Sequence, residues 1–271
     1  MIINGLPDNS LSANDRGLMY GDGVFRTLLV KQGKPLHWSQ HYNKLQHDCI
    51  AIGIPCPSMQ SLADELAQLA FSCADGVAKI IITRGPSGRG YAPALNPQAS
   101  RILSFSPKPE YPEAYAKQGI RMHLCNLRLG HQPRLAGIKH LNRLENVLAA
   151  AEWNEPDVAE GLMLDEDDLI IEGTRSNLFL VRDGKLYTPD LSRCGVAGLQ
   201  RDRVISYAEK NKIDIIINNL TMDDLRAADE VFIVNSVIGL WPVREMIGFN
   251  CTQVIHRYLI DNNRNFIFLG I

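Results

Sequence analysis

The residues best suited to chemistry fall in one stretch, Gly137-Ile138-Lys139-His140-Leu141-Asn142-Arg143-Leu144-Glu145. Its lysine stands where a glycine-hinged loop meets an amphipathic pattern, a place where an amine can be pinned. Held in a partly dry pocket, such an amine has its pKa lowered and can condense with an aldehyde, which is how pyridoxal 5'-phosphate is anchored. That cofactor makes two further demands, an acid at its ring nitrogen and a cradle for its phosphate. Glu172, at the end of the strand-like Leu169 to Ile171 and before Gly173-Thr174-Arg175-Ser176-Asn177, is a candidate for the acid. Gly195-Val196-Ala197-Gly198 directly precedes a helical pattern, so its backbone N–H groups and the positive end of the helix dipole can face a phosphate. Taken singly, each has an ordinary reading: a solvated lysine, a turn glutamate, a plain helix start.

Other chemistry-bearing groups form weaker patterns. Arg84-Gly85-Pro86-Ser87-Gly88-Arg89-Gly90-Tyr91 is a glycine-rich loop holding two arginines, and Arg89 with Tyr91 suits a substrate carboxylate, as does Arg26. His37 and His41 are four apart, but no carboxylate or cysteine pattern joins them, so polar-face histidines are expected and no metal. Asp165-Glu166-Asp167-Asp168 reads as a charged turn, lacking the glycine and final glutamate of a calcium loop.

These groups need elements to hold them. Strands are expected at Val24 to Val30, Val77 to Thr83 and Arg101 to Phe105. Helices are expected where Trp38, Tyr42, Leu45, Cys49 and Ile52 recur at steps of four and three, and after Ser58 with Leu62, Leu66 and Leu69 on one face. Pro107, Pro109 and Pro112 suggest an interdomain connection. Beyond it come a strand at Ile120 to Leu129, a helix from about Leu141 with Leu144, Leu148 and Ala151 on its apolar face, and short strands at Gly161 to Leu164, Leu169 to Ile171, Asn177 to Val181 and Leu186 to Tyr187. Asp183-Gly184 marks a hairpin between the last two. A helix beyond Gly195, a strand at Ile213 to Ile217, a short helix opened by Thr221 with Asp224 three residues on, a strand at Val231 to Val234 and a helix near Thr252 complete the pattern. Strands interleaved with helices, some in hairpins, predict an α+β protein in two lobes. The expected division is a smaller N-terminal domain over 1–106, a linker over 107–118, and a larger C-terminal domain over 119–271 that carries the lysine.

Composition removes several classes. With 271 residues, 45% hydrophobic and 21% charged, the chain has ample apolar mass for a folded core. A net charge of −2 gives no field to draw in nucleic acid or an anionic membrane. The N-terminus lacks a secretory layout, and the most apolar window, Val231 to Val243, is broken by Asn235, Ser236 and Pro242, so a cytoplasmic protein is expected. Six cysteines without a C-x-x-C pair are read as free thiols.

Together the motifs match a family. Tyr20 to Thr27, His41-Tyr42-Asn43-Lys44-Leu45, Arg84 to Tyr91, Gly137 to Glu145, Glu172 to Phe179 and Gly195 to Gly198 occur in the order found in fold-type IV pyridoxal-phosphate enzymes, which the chain resembles over nearly its whole length. The resemblance implies a two-lobed homodimer in which Lys139 is the Schiff-base lysine and Glu172 partners the pyridine nitrogen. It further implies that Val196 and Ala197 give backbone N–H groups to the phosphate, with the Ser236 hydroxyl beside them. The family usually carries arginine where this chain has Lys44, which keeps the charge but loses the bidentate fork. Within the family, the lysine motif and the Arg84 to Tyr91 loop resemble those of aminodeoxychorismate lyases, which convert 4-amino-4-deoxychorismate to 4-aminobenzoate and pyruvate for folate synthesis. Thr27 then stands where a hydroxyl assists proton transfer to the leaving group. A branched-chain or D-amino acid aminotransferase of the same fold, or a non-catalytic phosphate-ligand binder, would share much of this set.

Overall fold

The computed structural model describes residues 1–7, 10–70, 75–248 and 253–254; the helix expected near Thr252 lies outside them. The chain divides into two units, one of Met1–Glu110 with Ile138–Asn142, the other of Tyr111–Gly137 with Arg143–Ile271.

In the N-terminal unit, β1 (Ile2–Ile3), β2 (Gly23–Lys31), β3 (Lys34–Pro35), β4 (Gly76–Thr83) and β5 (Ser100–Ser106) form a sheet in the order β1-β5-β4-β2-β3. All its neighbours are antiparallel. Period-two alternation sends Val24, Leu28 and Val30 of β2 and Ala78, Ile80 and Ile82 of β4 to one face. There they pack on Tyr42, Leu45 and Cys49 of α2 (Trp38–Ala51) and on Leu62 and Leu66 of α3 (Met59–Ala70). A short helix α1 (Arg16–Tyr20), capped by the Asp15 carboxylate, precedes β2.

Ile138–Asn142 belongs to this unit, which corrects the expectation that the lysine sits in the C-terminal domain. β3 covers only Val30 and Lys31 of its edge of β2, and the five residues take the other end of that edge. The Phe25 N–H donates to the Lys139 carbonyl at 3.0 Å, the Leu141 N–H donates to the Gly23 carbonyl at 2.9 Å, and Ile138 joins the core. Unpaired backbone groups on a sheet edge need partners, and this segment supplies them.

The other unit holds β6 (Ile120–Leu129), β7 (Val158–Asp165), β8 (Ile170–Gly173), β9 (Asn177–Arg182), β10 (Lys185–Pro189), β11 (Ile215–Asn218), β12 (Glu230–Asn235), β13 (Gly239–Ile247) and β14 (Gln253–Val254). Their order is β11-β10-β9-β12-β13-β6-β7-β8, with β14 paired to β13. Leu178 and Leu180 point to one apolar cluster with Met122, Leu162 and Ile233, while Phe179 and Phe232 stack at 5.1 Å on the other face against Val204 and Ala208 of α6 (Leu199–Lys210). The hairpin at Asp183-Gly184 has both residues at positive φ, as its sequence predicts. The short helix opened by Thr221 has the expected capping box.

Three elements depart from the sequence pattern. β13 was not expected, because Pro242 lies within it; its pairing with β6 begins only at Val243 and Ile120, so the missing N–H of Pro242 breaks no ladder bond there. The expected linker is half helix, α4 (Glu113–Gln118), and Tyr111 and Tyr115 pack edge-on against Trp241 at 4.8 and 5.1 Å. The helix expected from Leu141 is α5 (Leu144–Ala150), and Leu144, Val147 and Leu148 are exposed at 75%, 59% and 59% rather than buried.

Candidate active site

In the N-terminal unit, Lys139 is half-buried and its Nζ lies 4.6 Å from the centroid of the Phe25 ring, an aromatic face that attracts a cation and positions the side chain. Its backbone N–H donates to Asp48 Oδ2 at 3.1 Å. Asp48, 1% exposed, forms an ion pair with Arg26, 3% exposed, whose Nη2 also donates to the Lys44 carbonyl at 3.3 Å. Asp48 and Lys44 are one turn apart on α2. The lysine backbone is thereby tied on one side to β2 and on the other to a charged pair behind it.

Arg26 is therefore corrected as a substrate-carboxylate candidate. Alternation along β2 sends it to the helix-covered face, opposite Phe25 and Thr27, and Asp48 occupies its guanidinium. Thr27 is on the Phe25 face, directly across from Lys79 of β4.

The loop after β4 is tied down at several points. Arg84 donates to both Asp22 oxygens at 2.8 and 3.0 Å and to the Ile52 and Gly53 carbonyls, and Arg16 donates to Ser87 Oγ and to the Gly90 and Tyr91 carbonyls. Burial pushes the Asp22 carboxyl up, but the hydrogen bonds and charges of Arg84 and Arg16 outweigh it and hold the group below its ordinary range. Tyr91 lies 5.3 Å from the Tyr20 ring with its side chain 83% exposed, and Arg89 is exposed beside it. Of the two loop arginines, Arg84 is structural.

In the other unit, Glu172 is 3% exposed on β8, and its Oε2 accepts the Val196 N–H at 2.9 Å. Burial pushes the Arg143 and Arg201 guanidiniums down from their ordinary values, opposed at Arg143 chiefly by the Glu172 charge and at Arg201 by Asp202, Asp190 and then Glu172. The Ala197 N–H donates to the Gly137 carbonyl at 3.0 Å. Without a phosphate bound, the amides of Val196 and Ala197 donate to these protein acceptors. Val196 orients the acid, and Ala197 fixes the loop that leads, two residues on, to Lys139.

Other amide groups suited to a phosphate come three residues later. α6 has Gly198 at its N-cap with no side chain capping it, so the first-turn N–H groups of Leu199 and Gln200 face outward with the helix dipole behind them. Asn177 sets this position: its Nδ2 donates to the Val196 carbonyl at 2.8 Å and its Oδ1 accepts the Gly198 N–H at 3.0 Å. A Cβ at Gly198 would sit 2.2 Å from that Oδ1, so glycine is required there. Ser236 follows β12 at the end of the sheet where Val234 pairs with Asn177. The glycine preceding the α6 pattern was the legible signal for Leu199 and Gln200; Asp48 and Asn177 carry no local signal.

His41 is buried rather than on a polar face. Among the described residues, His131, Asp165 and Cys194 bring three potential ligand atoms within 4.8 Å. Burial holds the Cys194 thiol up at about 12, and Arg193 and His131 occupy Asp165, so the cluster is a hydrogen-bonded ion-pair network.

The chain belongs to the amino-transferase class IV family, whose sequence pattern matches residues 23–246. It is similar to an aminodeoxychorismate lyase of Vibrio harveyi, 37% identical over 242 residues, covering 89% of each chain. The crystal structure of 4-amino-4-deoxychorismate lyase from Pseudomonas aeruginosa superposes with a TM-score of 0.89 at 46% identity over 94% of both chains. A D-alanine aminotransferase of Bacillus licheniformis is 27% identical over 249 residues, 88% of this chain and 84% of that one. Enzymes of this family depend on pyridoxal 5'-phosphate. Each unit by itself offers groups of the kinds that cofactor needs: in the N-terminal unit an amine on an aromatic face, and in the other unit a buried carboxylate oriented by a backbone amide and an uncapped helix start.

Proposed function

We propose that this chain is a pyridoxal-phosphate-dependent lyase that converts 4-amino-4-deoxychorismate to 4-aminobenzoate and pyruvate. The observation that carries the reading is the placement of Lys139 Nζ on the Phe25 ring, on the sheet face that also bears Thr27. In this reading Lys139 holds the cofactor, Glu172 keeps a proton at its ring nitrogen, and Lys44, the Leu199 and Gln200 amides and the Ser236 hydroxyl hold its phosphate. When bound, pyridoxal phosphate supplies an electron sink for the carbon bearing the substrate nitrogen. Lys139, freed, takes the proton from that ring carbon as the general base. The bond between ring carbon and ether oxygen breaks as the ring becomes aromatic. The proton that Lys139 took up is passed, with help from the Thr27 hydroxyl, to the methylene carbon of the departing enolpyruvyl group, which leaves as pyruvate and restores both residues. Arg89 and Tyr91 hold a substrate carboxylate. No second substrate is consumed.

The same reading includes a homodimer, supported by the three exposed apolar residues of α5, which a partner subunit would cover. It also includes a cytoplasmic location, supported by Cys49, Cys56, Cys125 and Cys194 all being free thiols. No helix among the described residues is long and apolar enough to cross a membrane.

The test mixes purified protein with 4-amino-4-deoxychorismate without any 2-oxo acid and follows both products. Equal appearance of 4-aminobenzoate and pyruvate, lost in Lys139→Ala, is the expected result. If neither forms, and an amino acid bleaches the cofactor in a half-reaction, the enzyme is an aminotransferase.

A further inference from the structure

Lys79 occupies the middle of β4, the central strand of the N-terminal sheet, in the run Val77-Ala78-Lys79-Ile80-Ile81-Ile82. Lysine is disfavoured in strand interiors. Lys79 makes no ion pair among the described residues, its side chain is exposed, and its Nζ stands 5.0 Å from the centroid of Phe25. The Lys139 ammonium stands 4.6 Å from the same centroid, so one ring gathers two cations less than 10 Å apart. Thr27 is the residue directly opposite Lys79 across the β2/β4 ladder.

We infer that Lys79 is the binding residue for the carboxylate of the enolpyruvyl group, a site on the leaving half of the substrate; the inference rests on the lyase reading. The argument is one of bond lengths. The carbon that must be protonated and the carbon of the carboxylate are two bonds apart, about 2.5 Å. Whichever hydroxyl reaches the first carbon, the cation for the carboxylate must be its immediate neighbour. Directly opposed residues of an antiparallel pair have Cβ atoms about 5 Å apart, and a lysine stem extends further. Thr27 and Lys79 are such a pair. Arg26, adjacent to Thr27 in sequence, is on the other face, so Lys79 is the cation that the strand geometry presents beside that hydroxyl. The ammonium also faces the negative charge that grows on the enolpyruvyl oxygen as the ether bond breaks, which ties it to the transition state as well as to binding.

The experiment compares wild type with Lys79→Met and Lys79→Arg in steady state, with inhibition by each product measured separately. Lys79 is exposed and outside the core, so thermal midpoints and the cofactor absorbance spectrum are expected to match wild type. Lys79→Met is expected to lose about 10- to 100-fold in kcat/KM, the range of a lost charge-assisted hydrogen bond, and Lys79→Arg to recover most of it. Inhibition by pyruvate weakens in Lys79→Met, and inhibition by 4-aminobenzoate does not. A wild-type protein without lyase turnover removes the functional reading itself. With an active wild type, a Lys79→Met enzyme within twofold of it overturns the assignment, as does weakened inhibition by 4-aminobenzoate alone, which would put the ring carboxylate at this lysine.

Discussion

The buried pair bonded to the Lys139 backbone makes a quantitative prediction. Arg26 and Asp48 are 3% and 1% exposed, and Asp48 also accepts the Lys139 backbone N–H at 3.1 Å. Desolvating two charges largely cancels their attraction, so the intact pair adds little net stability, but removing one partner strands the other without water. Asp48→Ala is therefore expected to cost about 3–5 kcal/mol, with about 1 kcal/mol more from the orphaned Lys139 amide. Arg26→Met alone strands the aspartate at a similar cost. Arg26→Met with Asp48→Leu leaves no lone charge and is expected to be more stable than either single variant, despite carrying two changes. Urea denaturation followed by fluorescence measures all four proteins. Three results agree with this reasoning: two strongly destabilised single variants, a double variant recovering at least half of the loss, and a coupling energy of about 2 kcal/mol or more. Simple additivity of the two losses, or an Asp48→Ala cost under about 1 kcal/mol, the level of an exposed pair, would refute it. The double variant is also expected to lose turnover while remaining folded, because Asp48 fixes the Lys139 backbone.

Three further outcomes follow from the structure. Asp22 has its pKa lowered in the folded state, so its contribution is complete above the ordinary value of 3.8 and disappears as pH falls through the lower folded value; Asp22→Asn should destabilise at pH 7, and the gap to wild type should close in acid denaturation curves below that range. Asn177→Ala frees the Val196 carbonyl and the Gly198 N–H, and a pyridoxal-phosphate titration by absorbance should report affinity weakened by about tenfold or more, with an unchanged dissociation constant counting against the helix-start cradle. Leu148→Asp places a charge on the exposed apolar face of α5, and light scattering should record a shift from dimer to monomer if that face is the subunit contact.

How far the sequence carried depends on whether the governing interaction was local. α2, α3, β2 and β4 are legible because period alone decides which side is buried, and the Asp183-Gly184 hairpin because turn chemistry does. β13 was hidden by Pro242, whose lack of an N–H is harmless only because β6 begins one residue further along, a matter of tertiary register. α5 has helical spacing, yet Leu144, Val147 and Leu148 do not face this chain's core, so periodicity alone gave no warning of their exposure. At the site, Lys139, Glu172 and Thr27 could be nominated by residue type and motif order. Arg26 was misassigned because the buried aspartate that claims it is 22 residues away on a helix. The bond between the Val196 N–H and Glu172, 24 residues away, was likewise not legible. Acceptors chosen across long sequence separation leave no local trace.

The return of Ile138–Asn142 to the N-terminal unit bears on the order of events during synthesis. A nascent chain that has emerged only to Glu110 has the sheet and both long helices of that unit, but the Gly23 to Phe25 edge of β2 is bare and the core lacks Ile138. Residues 111–137 must emerge before the gap can be filled, and closing a loop of that length costs entropy that the late contacts must offset. The N-terminal unit therefore stays unfinished until that segment emerges, and the segment that completes it is the one that carries Lys139. Completion of that unit and the arrival of Lys139 therefore fall in the same five residues.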